Sequence, residues 1–351
     1  MTYITKPVAR HPKMRPNALG LTPRDYEGAM STLCAGCGHD SVTSALIQAF
    51  YRLDVEPHRV VKLSGIGCSS KTPTYFIKEA HGFNAVHGRM PSVATGANAA
   101  NRDLVYVGIS GDGDSLSIGL GQLCHAIRRN VNMLYVLENN GVYGLTKGQF
   151  SASADIGSVS KRGEVNRHGP IDPVQVALSL GATFVARSFS GDKTQLLPIL
   201  EAALKHRGLA FLDVISPCVT FNDHEGSTKS YAYTRTHMHE VVETDFVPLR
   251  REIQADYGSG EVRAVTMHDG SVVRFRKVAE DYDPTDRGAV LEHLRDVHNR
   301  GEVPTGLLYL EETLEDMHDF ENTTDTPLVD LPYETLCPGS AALEELQKEW
   351  W

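Results

Sequence analysis

Leu104-Val105-Tyr106-Val107-Gly108-Ile109-Ser110 runs straight into Gly111-Asp112-Gly113-Asp114, and after 25 intervening residues from Gly113 the chain reaches Asn139-Asn140-Gly141. The first run and Val131 to Glu138 both read as strands covered on two faces, because each is an almost unbroken apolar stretch of strand length. Between them Ser115 to Arg129 is predicted as a helix. Leu116, Leu120, Leu123 and Ile127 step by four, three and four residues and so share one helical face. Strand, helix and strand make a βαβ unit, whose two strand ends point to one edge.

The same alternation extends outward from this unit. Asp40 to Tyr51 carries Val42, Ala45, Leu46, Ala49 and Phe50 at helical spacing, and Arg59 to Leu63 is a short strand that enters Gly65-Ile66-Gly67-Cys68. Downstream, Gly181 to Arg187 is predicted as a strand, Lys193 to His206 as a helix and Leu209 to Ser216 as a strand. The expected fold is α/β, an open, doubly wound, mostly parallel sheet. Ligands in such sheets sit outside the carboxyl ends of the strands, which is where Cys68, Asp112, Asn140 and Cys218 fall. Beyond residue 240 the texture turns charged and irregular, with a hairpin pattern from Val262 to Val278 turning at Asp269-Gly270 and a helix from Arg287 to Arg300. The expected organisation is an extended arm over 1–24, a cofactor domain over 25–240 and an appendage for subunit contact over 241–351.

Bulk properties narrow the classes of function. A chain of 351 residues with 41% hydrophobic content is long enough for a full core. Its formal net charge of −10 repels a duplex or an anionic bilayer surface on average. No apolar run approaches the roughly 20 residues of a membrane span. The start carries Lys6, Arg10, Lys13 and Arg15 between prolines and lacks a secretory pattern, so a cytoplasmic location is expected. The six cysteines are then better read as metal or redox groups than as structural disulfides.

Two groups of residues carry chemistry. Glycines at Gly111 and Gly113 let a diphosphate approach the backbone, the following helix offers free amides, and the carboxylate of Asp112 with the amide oxygen of Asn140 suits Mg²⁺. Either turn alone would read as an ordinary strand ending. Cys34-Ala35-Gly36-Cys37-Gly38-His39 has the spacing that lets two thiolates share a zinc ion, a cluster or a redox cycle. Cys124 reads as a small core residue, and Cys337 stands outside any motif. His237-Met238-His239 has no third ligand nearby and reads as surface or interface.

The Gly-Asp-Gly and Asn-Asn pair separated by one crossover resembles the thiamine diphosphate signature. With the Cys-x-x-Cys-Gly-His stretch, Gly65-Ile66-Gly67-Cys68-Ser69-Ser70-Lys71 and Ser216-Pro217-Cys218 added, residues from about 30 to 225 resemble the β subunits of 2-oxoacid:ferredoxin oxidoreductases. The resemblance implies a [4Fe-4S] cluster on Cys34, Cys37, Cys68 and Cys218, with Mg²⁺ on Asp112, Asn140 and the Val142 carbonyl. It implies that Ile66, Gly67, Cys68, Ser69, Gly113, Asp114, Gly144 and Leu145 line thiamine diphosphate. His87, which follows a short strand expected over Asn84 to Val86, would meet the diphosphate, although a structural role for this histidine is a nearly equal alternative. Lys71 and Lys147 would stand near the carboxylate of the 2-oxoacid. The implied reaction is reversible, coenzyme A-dependent oxidative decarboxylation, with 2-oxoglutarate favoured over pyruvate and electrons passing to ferredoxin. The implied assembly is (αβ)₂, in which the α subunit supplies the glutamate that activates the cofactor. A thiamine diphosphate decarboxylase with structural zinc is the competing expectation.

Overall fold

The computed structural model describes residues 14–242, 244, 262–266, 272–276, 282–311 and 315–350. Residues 1–13 of the expected arm, including Lys6, Arg10 and Lys13, lie outside the described residues, as do the turn at Asp269-Gly270 and Val278.

The strands of the main sheet are β1 (Val60–Ser64), β2 (His81–Asn84), β3 (Val105–Gly111), β4 (Met133–Asn139), β5 (Phe184–Phe189), β6 (Leu209–Ile215), β7 (Met238–Val242) and β8 (Val303–Leu310). They are ordered β2-β1-β3-β4-β6-β5-β8-β7. Every neighbouring pair is parallel except β8 against β5. The helices that cover them are α1 (Gly38–Arg52), α2 (Met90–Ala100), α3 (Leu120–Arg128), α4 (Pro173–Ser179), α5 (Lys193–Lys205), α6 (Tyr231–His237) and α7 (Arg287–Asn299).

The continuous apolar strands are explained by two cores. Along β4, Met133, Tyr135 and Leu137 enter a cluster with Met90, Leu123, Val174 and Leu294, which come from α2, α3, α4 and α7. Leu134 and Val136 point the other way, into a cluster with Leu46 and Phe50 of α1 and Leu196 and Ile199 of α5. Alternate residues of one strand therefore serve opposite faces, and both faces need apolar side chains. The doubly wound expectation holds.

Three local expectations need correction. The predicted Ser115 helix starts as a π-helical turn over Gly113–Ile118, closed by the Gly119 N–H donating to the Asp114 carbonyl at 2.8 Å. The α-helical part begins only after Gly119, where an added Cβ would stand 2.8 Å from the Gly88 oxygen. Such single π turns insert a residue and redirect side chains, often beside a functional site. The strand expected over Asn84 to Val86 is instead the exposed edge strand β2, which ends at Asn84, and Val86 is 73% exposed. The boundary expected at residue 240 falls inside β7, and β8 inserts between β5 and β7, so part of the expected appendage completes the sheet. The hairpin expectation survives as two antiparallel strands, Val262–Thr266 and Val272–Arg276. Among the described residues no helix is long and apolar enough to cross a membrane.

One half-buried histidine links the fold to pH. His206 caps the end of α5, bonds Thr183 Oγ1 at 2.8 Å and lies against Phe184, and burial pushes its imidazole down to about 4. Its folded pKa lies below the ordinary value of about 6.5, so the unfolded chain takes up the proton first as the pH falls. Stability is therefore complete above pH ~6.5 and declines towards pH ~4, by up to roughly 3 kcal/mol from this group. Thermal unfolding at intervals across that window should show the decline, and His206→Gln should remove this group's share of it, leaving the share of His39, whose imidazole burial also pushes down to about 4.

Candidate active site at the carboxyl edge of the sheet

Four adjacent parallel strands, β1, β3, β4 and β6, end side by side, and each releases a functional loop. β1 leads into Gly65 to Lys71, β3 into Asp112, β4 into Asn140, and β6 into Ser216 to Cys218. The start of α1 reaches the same edge, because the Gly38 N–H donates to the Pro217 carbonyl at 3.4 Å and His39 Nδ1 bonds Ser216 Oγ at 2.6 Å. Only glycine fits at position 38, where a Cβ would lie 2.5 Å from Ser216 Oγ and 2.6 Å from Ser190 Oγ. Cys37 is thereby delivered at the N-cap of α1.

Asp112 is 1% exposed. Its carboxylate accepts from the Asn140 and Gly141 N–H groups at 3.4 and 3.0 Å, from Ser153 Oγ at 2.6 Å and from Ser151 Oγ. Among the described residues no cationic side chain pairs with it. Asn140 Oδ1 accepts from the Val142 N–H at 3.1 Å, which folds the loop back just beyond its backbone contacts to Asp112. A buried carboxylate, an amide oxygen and a nearby carbonyl form the hard-oxygen donor set that Mg²⁺ takes. Hydroxyls such as Ser151 and Ser153 can rotate aside for an ion.

Asp114 organises the neighbouring loops. Its Oδ1 accepts from the Gly88 N–H at 2.7 Å and its Oδ2 from Ser110 Oγ at 2.8 Å. The His87-Gly88-Arg89 loop is thus drawn to the Gly-Asp-Gly turn, with the His87 side chain exposed. Tyr143 closes the other side by donating to the Gly113 carbonyl at 2.8 Å. Gly65 is required by the same carboxylate, since a Cβ there would stand 1.8 Å from Asp114 Oδ2. Gly65→Ala should destabilise the chain by about 1–3 kcal/mol, because Asp114 is held by two donors and cannot step aside freely. Urea unfolding of the two proteins measures the difference.

The cysteines gather beside this turn. A Cβ built on Gly144 would lie 3.4 Å from Cys68 Sγ and 3.5 Å from Cys218 Sγ, so glycine keeps open the space between two thiols. Cys34 Sγ lies 3.6 Å from Thr220 Oγ1, two residues after Cys218. The Cys37 N–H donates to the Cys34 carbonyl at 3.0 Å. Burial pushes the Cys37 thiol up to about 12, with the charges of Glu138, Cys68 and Cys218 adding to the shift. Burial also raises Cys68 and Cys218, and the ammonium of Lys71 acts on Cys68 in the opposite sense. Binding metal here has to displace thiol protons. Among the described residues no three His, Cys, Asp or Glu side chains converge on a single-ion position.

The remaining expected residues lie around the same volume. Ile66 and Gly67 form the turn after β1, with Gly67 at φ +93°, and Ser69 Oγ donates to the Ile66 carbonyl at 3.3 Å. Leu145 is 47% exposed and follows Gly144. Lys147 is exposed, holds φ +81° and donates its N–H to the Gly144 carbonyl at 3.1 Å. A left-handed lysine costs roughly 1–2 kcal/mol, and such strain collects in functional loops. Cys124 is half-buried on α3 and so is not the core residue expected, and Cys337 is exposed. His237 stacks on Tyr233 with centroids 3.9 Å apart, and His239 faces His293.

Some supporting groups carried no motif. Glu138, fully buried on β4, accepts from Thr72 Oγ1 at 3.0 Å and lies 3.5 Å from His39 Nδ1; burial raises its carboxyl well above the usual range. It therefore ties the turn after Cys68 to the first turn of α1, just after Cys37. Arg187 is buried between Asp213 and Asp172, at 2.7 and 2.5 Å, and Asp213 in turn accepts from Asn139 Nδ2 at 3.0 Å. That network braces the residue next to Asn140. The signal for both was a carboxylate inside an otherwise apolar strand, Glu138 in β4 and Asp213 in β6.

The region that carries these loops is similar to known proteins. Residues 65–214 match the family described as thiamine pyrophosphate enzyme, C-terminal TPP binding domain. Over 191 residues, 54% of the chain, it is 44% identical to the 2-oxoacid:ferredoxin oxidoreductase subunit beta of Saccharolobus solfataricus, covering 63% of that protein. It is 42% identical to the 2-oxoglutarate oxidoreductase subunit KorB of Mycobacterium tuberculosis, over 54% of the chain and 51% of that protein. It is 34% identical to the 2-oxoglutarate synthase subunit KorB of Methanocaldococcus jannaschii, over 54% of the chain and 69% of that protein. The matched stretch thus spans less than two thirds of the length of the first two relatives. A solved 2-oxoglutarate:ferredoxin oxidoreductase from Magnetococcus marinus, with 2-oxoglutarate, coenzyme A and succinyl-CoA bound, superposes with a TM-score of 0.71 at 30% identity. That likeness covers 88% of this chain and 91% of the other.

Proposed function

Because the chain belongs to the family of 2-oxoacid:ferredoxin oxidoreductase β subunits, we propose that it carries thiamine diphosphate, Mg²⁺ and one [4Fe-4S] cluster. With a companion α subunit in a cytoplasmic (αβ)₂ assembly, it would convert a 2-oxoacid and coenzyme A to acyl-CoA and CO₂ while reducing ferredoxin. The observation that carries this reading is adjacency: an oxygen-donor turn at Asp112 and Asn140 and a thiol set around Gly144 end neighbouring strands.

Asp112, Asn140 and the Val142 carbonyl would hold Mg²⁺ against a diphosphate, with Ile66, Gly67, Ser69, His87, Gly113, Asp114, Gly144 and Leu145 around the cofactor. When bound, thiamine diphosphate supplies the carbon nucleophile and electron sink that 2-oxoacid decarboxylation needs. Cys34, Cys37, Cys68 and Cys218 would each ligate one iron, a reading supported by Cys68 and Cys218 standing on either side of Gly144. Lys71, close enough to Cys68 to act on its thiol, and Lys147 would meet the substrate carboxylates as point charges. Two such cations suit a dicarboxylate, which favours 2-oxoglutarate over pyruvate. The glutamate that engages the aminopyrimidine ring would come from the α subunit.

The test is coenzyme A-dependent reduction of methyl viologen by the anaerobic αβ complex with a series of 2-oxoacids. The expected result is a higher kcat/KM for 2-oxoglutarate than for pyruvate. The reverse order would change the substrate, and CO₂ release without viologen reduction would favour a non-redox decarboxylase.

A further inference from the structure

A cavity of about 540 Å³ lies between strands β4, β5 and β6 and helices α4, α6 and α7, a volume within the range of small-molecule sites. One hydrogen-bonded chain runs along its inner wall and ends at Asp112. Arg187 donates to Asp172 and Asp213 at 2.5 and 2.7 Å, and Asn139 Nδ2 donates to Asp213 at 3.0 Å. Ser153 Oγ stands 2.9 Å from Asn139 Oδ1 and 2.6 Å from Asp112 Oδ2. Asn139, Ser153, Asp172, Arg187 and Asp213 all line the cavity. The Ser153 hydroxyl has one proton for two acceptors, so an ion on Asp112 would send that proton to Asn139.

The donors and acceptors on the wall decide what the cavity takes. Each lining carboxylate is already engaged. Asp172 also accepts from the Val174 and Gln175 N–H groups, Asp155 accepts from Thr228 and from Lys229 Nζ at 3.2 Å, and Glu302 pairs with Arg300 at 3.2 Å. Donors are left over. Arg187 is 7% exposed, and two of the five N–H groups of a guanidinium account for its bonds among the described residues. Asp172 and Asp213 outnumber it, so an anion needs a second basic pole. Arg295 and His298, three residues apart on α7, supply one where the cavity meets solvent; both are exposed, and Arg295 has only a 3.6 Å contact with the exposed Glu292. Two poles rich in donors suit a molecule with an acceptor group at each end.

We propose that this cavity binds a small dicarboxylate and that its occupancy strengthens the cofactor site at Asp112. The coupling, though not the binding, rests on the function proposed above. One carboxylate takes the spare N–H groups of Arg187, and the other meets Arg295 and His298. A ligand on Arg187 stiffens the run from Arg187 through Asp213 to Asn139, which holds Asn139 Oδ1 ready for the Ser153 proton when Mg²⁺ takes Asp112. The first ligand thereby meets part of the ordering cost of the second, and by linkage the effect is mutual.

The experiment uses the intact αβ complex stripped of thiamine diphosphate, with radiolabelled malate as the probe, since malate has no keto group and cannot add to thiamine. Equilibrium dialysis should show saturable binding. An Arg295→Glu/His298→Glu variant, altered only at exposed residues, should bind malate roughly tenfold more weakly and unfold at the same temperature in malate-free buffer. Saturating malate should raise the wild-type affinity for thiamine diphosphate at fixed Mg²⁺ about fivefold and leave the variant's affinity unmoved. No binding to the wild type would mean a cavity that holds only water, which overturns the site and leaves the proposed function standing. Equal binding by the variant would put malate elsewhere, such as beside Lys71 and Lys147, and also overturns it. Binding with no change in thiamine diphosphate affinity overturns the coupling. A complex that binds malate but no thiamine diphosphate would remove the proposed function and the coupling together, while its dialysis result supports the site.

Discussion

Asp112→Asn is expected to weaken binding of Mg²⁺ and thiamine diphosphate by roughly a hundredfold, about 3 kcal/mol. The carboxylate is buried and takes four neutral donors, two of them backbone N–H groups that cannot move. An asparagine of the same size removes the charge that offsets a bound cation. It also turns an –NH₂ towards at least one donor, leaving a buried group unpaired. Titration of the apo αβ complex with thiamine diphosphate in saturating Mg²⁺ measures the loss, and thermal unfolding of the apo proteins separates it from a folding defect. Equal affinity in the two proteins would remove Asp112 from the metal site.

The second large effect is expected at Cys68. Cys68→Ser should strip iron from the αβ complex, abolish its visible charge-transfer absorbance and reduce 2-oxoacid-dependent viologen reduction to background. Hydroxyl is a poor iron ligand beside thiolate, and Cys68 is one of the two sulfurs flanking Gly144. Thiamine diphosphate should still bind, because Asp112 and Asn140 lie at the ends of different strands, β3 and β4. Cys124→Ser on α3 serves as the control and should keep its iron. Full iron content in the Cys68 variant would contradict the proposed ligand set.

Much of this architecture was legible in the chain because buried parallel strands announce themselves. The residues from Leu104 to Ser110 and from Val131 to Glu138 had no polar face to present, so both sides had to be covered, and the strand ends then had to share an edge. The glycine and asparagine turns at those ends were readable for a related reason, since they mark where the backbone leaves the sheet. What escaped was set by long-range contact. The π turn at Gly113–Ile118 exists because Asp114 reaches back to Gly88 and Ser110, and helical periodicity carries no trace of that pull. Strand β2 is exposed on every residue and so lacks the apolar pattern that identifies a strand. β8 was missed as a sheet member because its partner β5 lies more than a hundred residues earlier, across a charged stretch.

The site divides in the same way. Residues with a distinctive type at a distinctive spacing, such as Cys34 and Cys37 or Asp112 and Asn140, were visible at once. Residues that support them were not, because Glu138, Ser151, Ser153 and Arg187 matter through what they touch and not through what precedes them. A carboxylate within an otherwise apolar strand is the feature that would have flagged Glu138 and Asp213, since burying either without partners is costly.

The most direct measurement is iron, acid-labile sulfide and thiamine diphosphate content of this chain purified anaerobically with its companion subunit. The account requires about four irons, four sulfides and one thiamine diphosphate per αβ pair. Thiamine diphosphate with zinc or without iron would leave a cofactor-binding subunit and contradict the electron-transfer role.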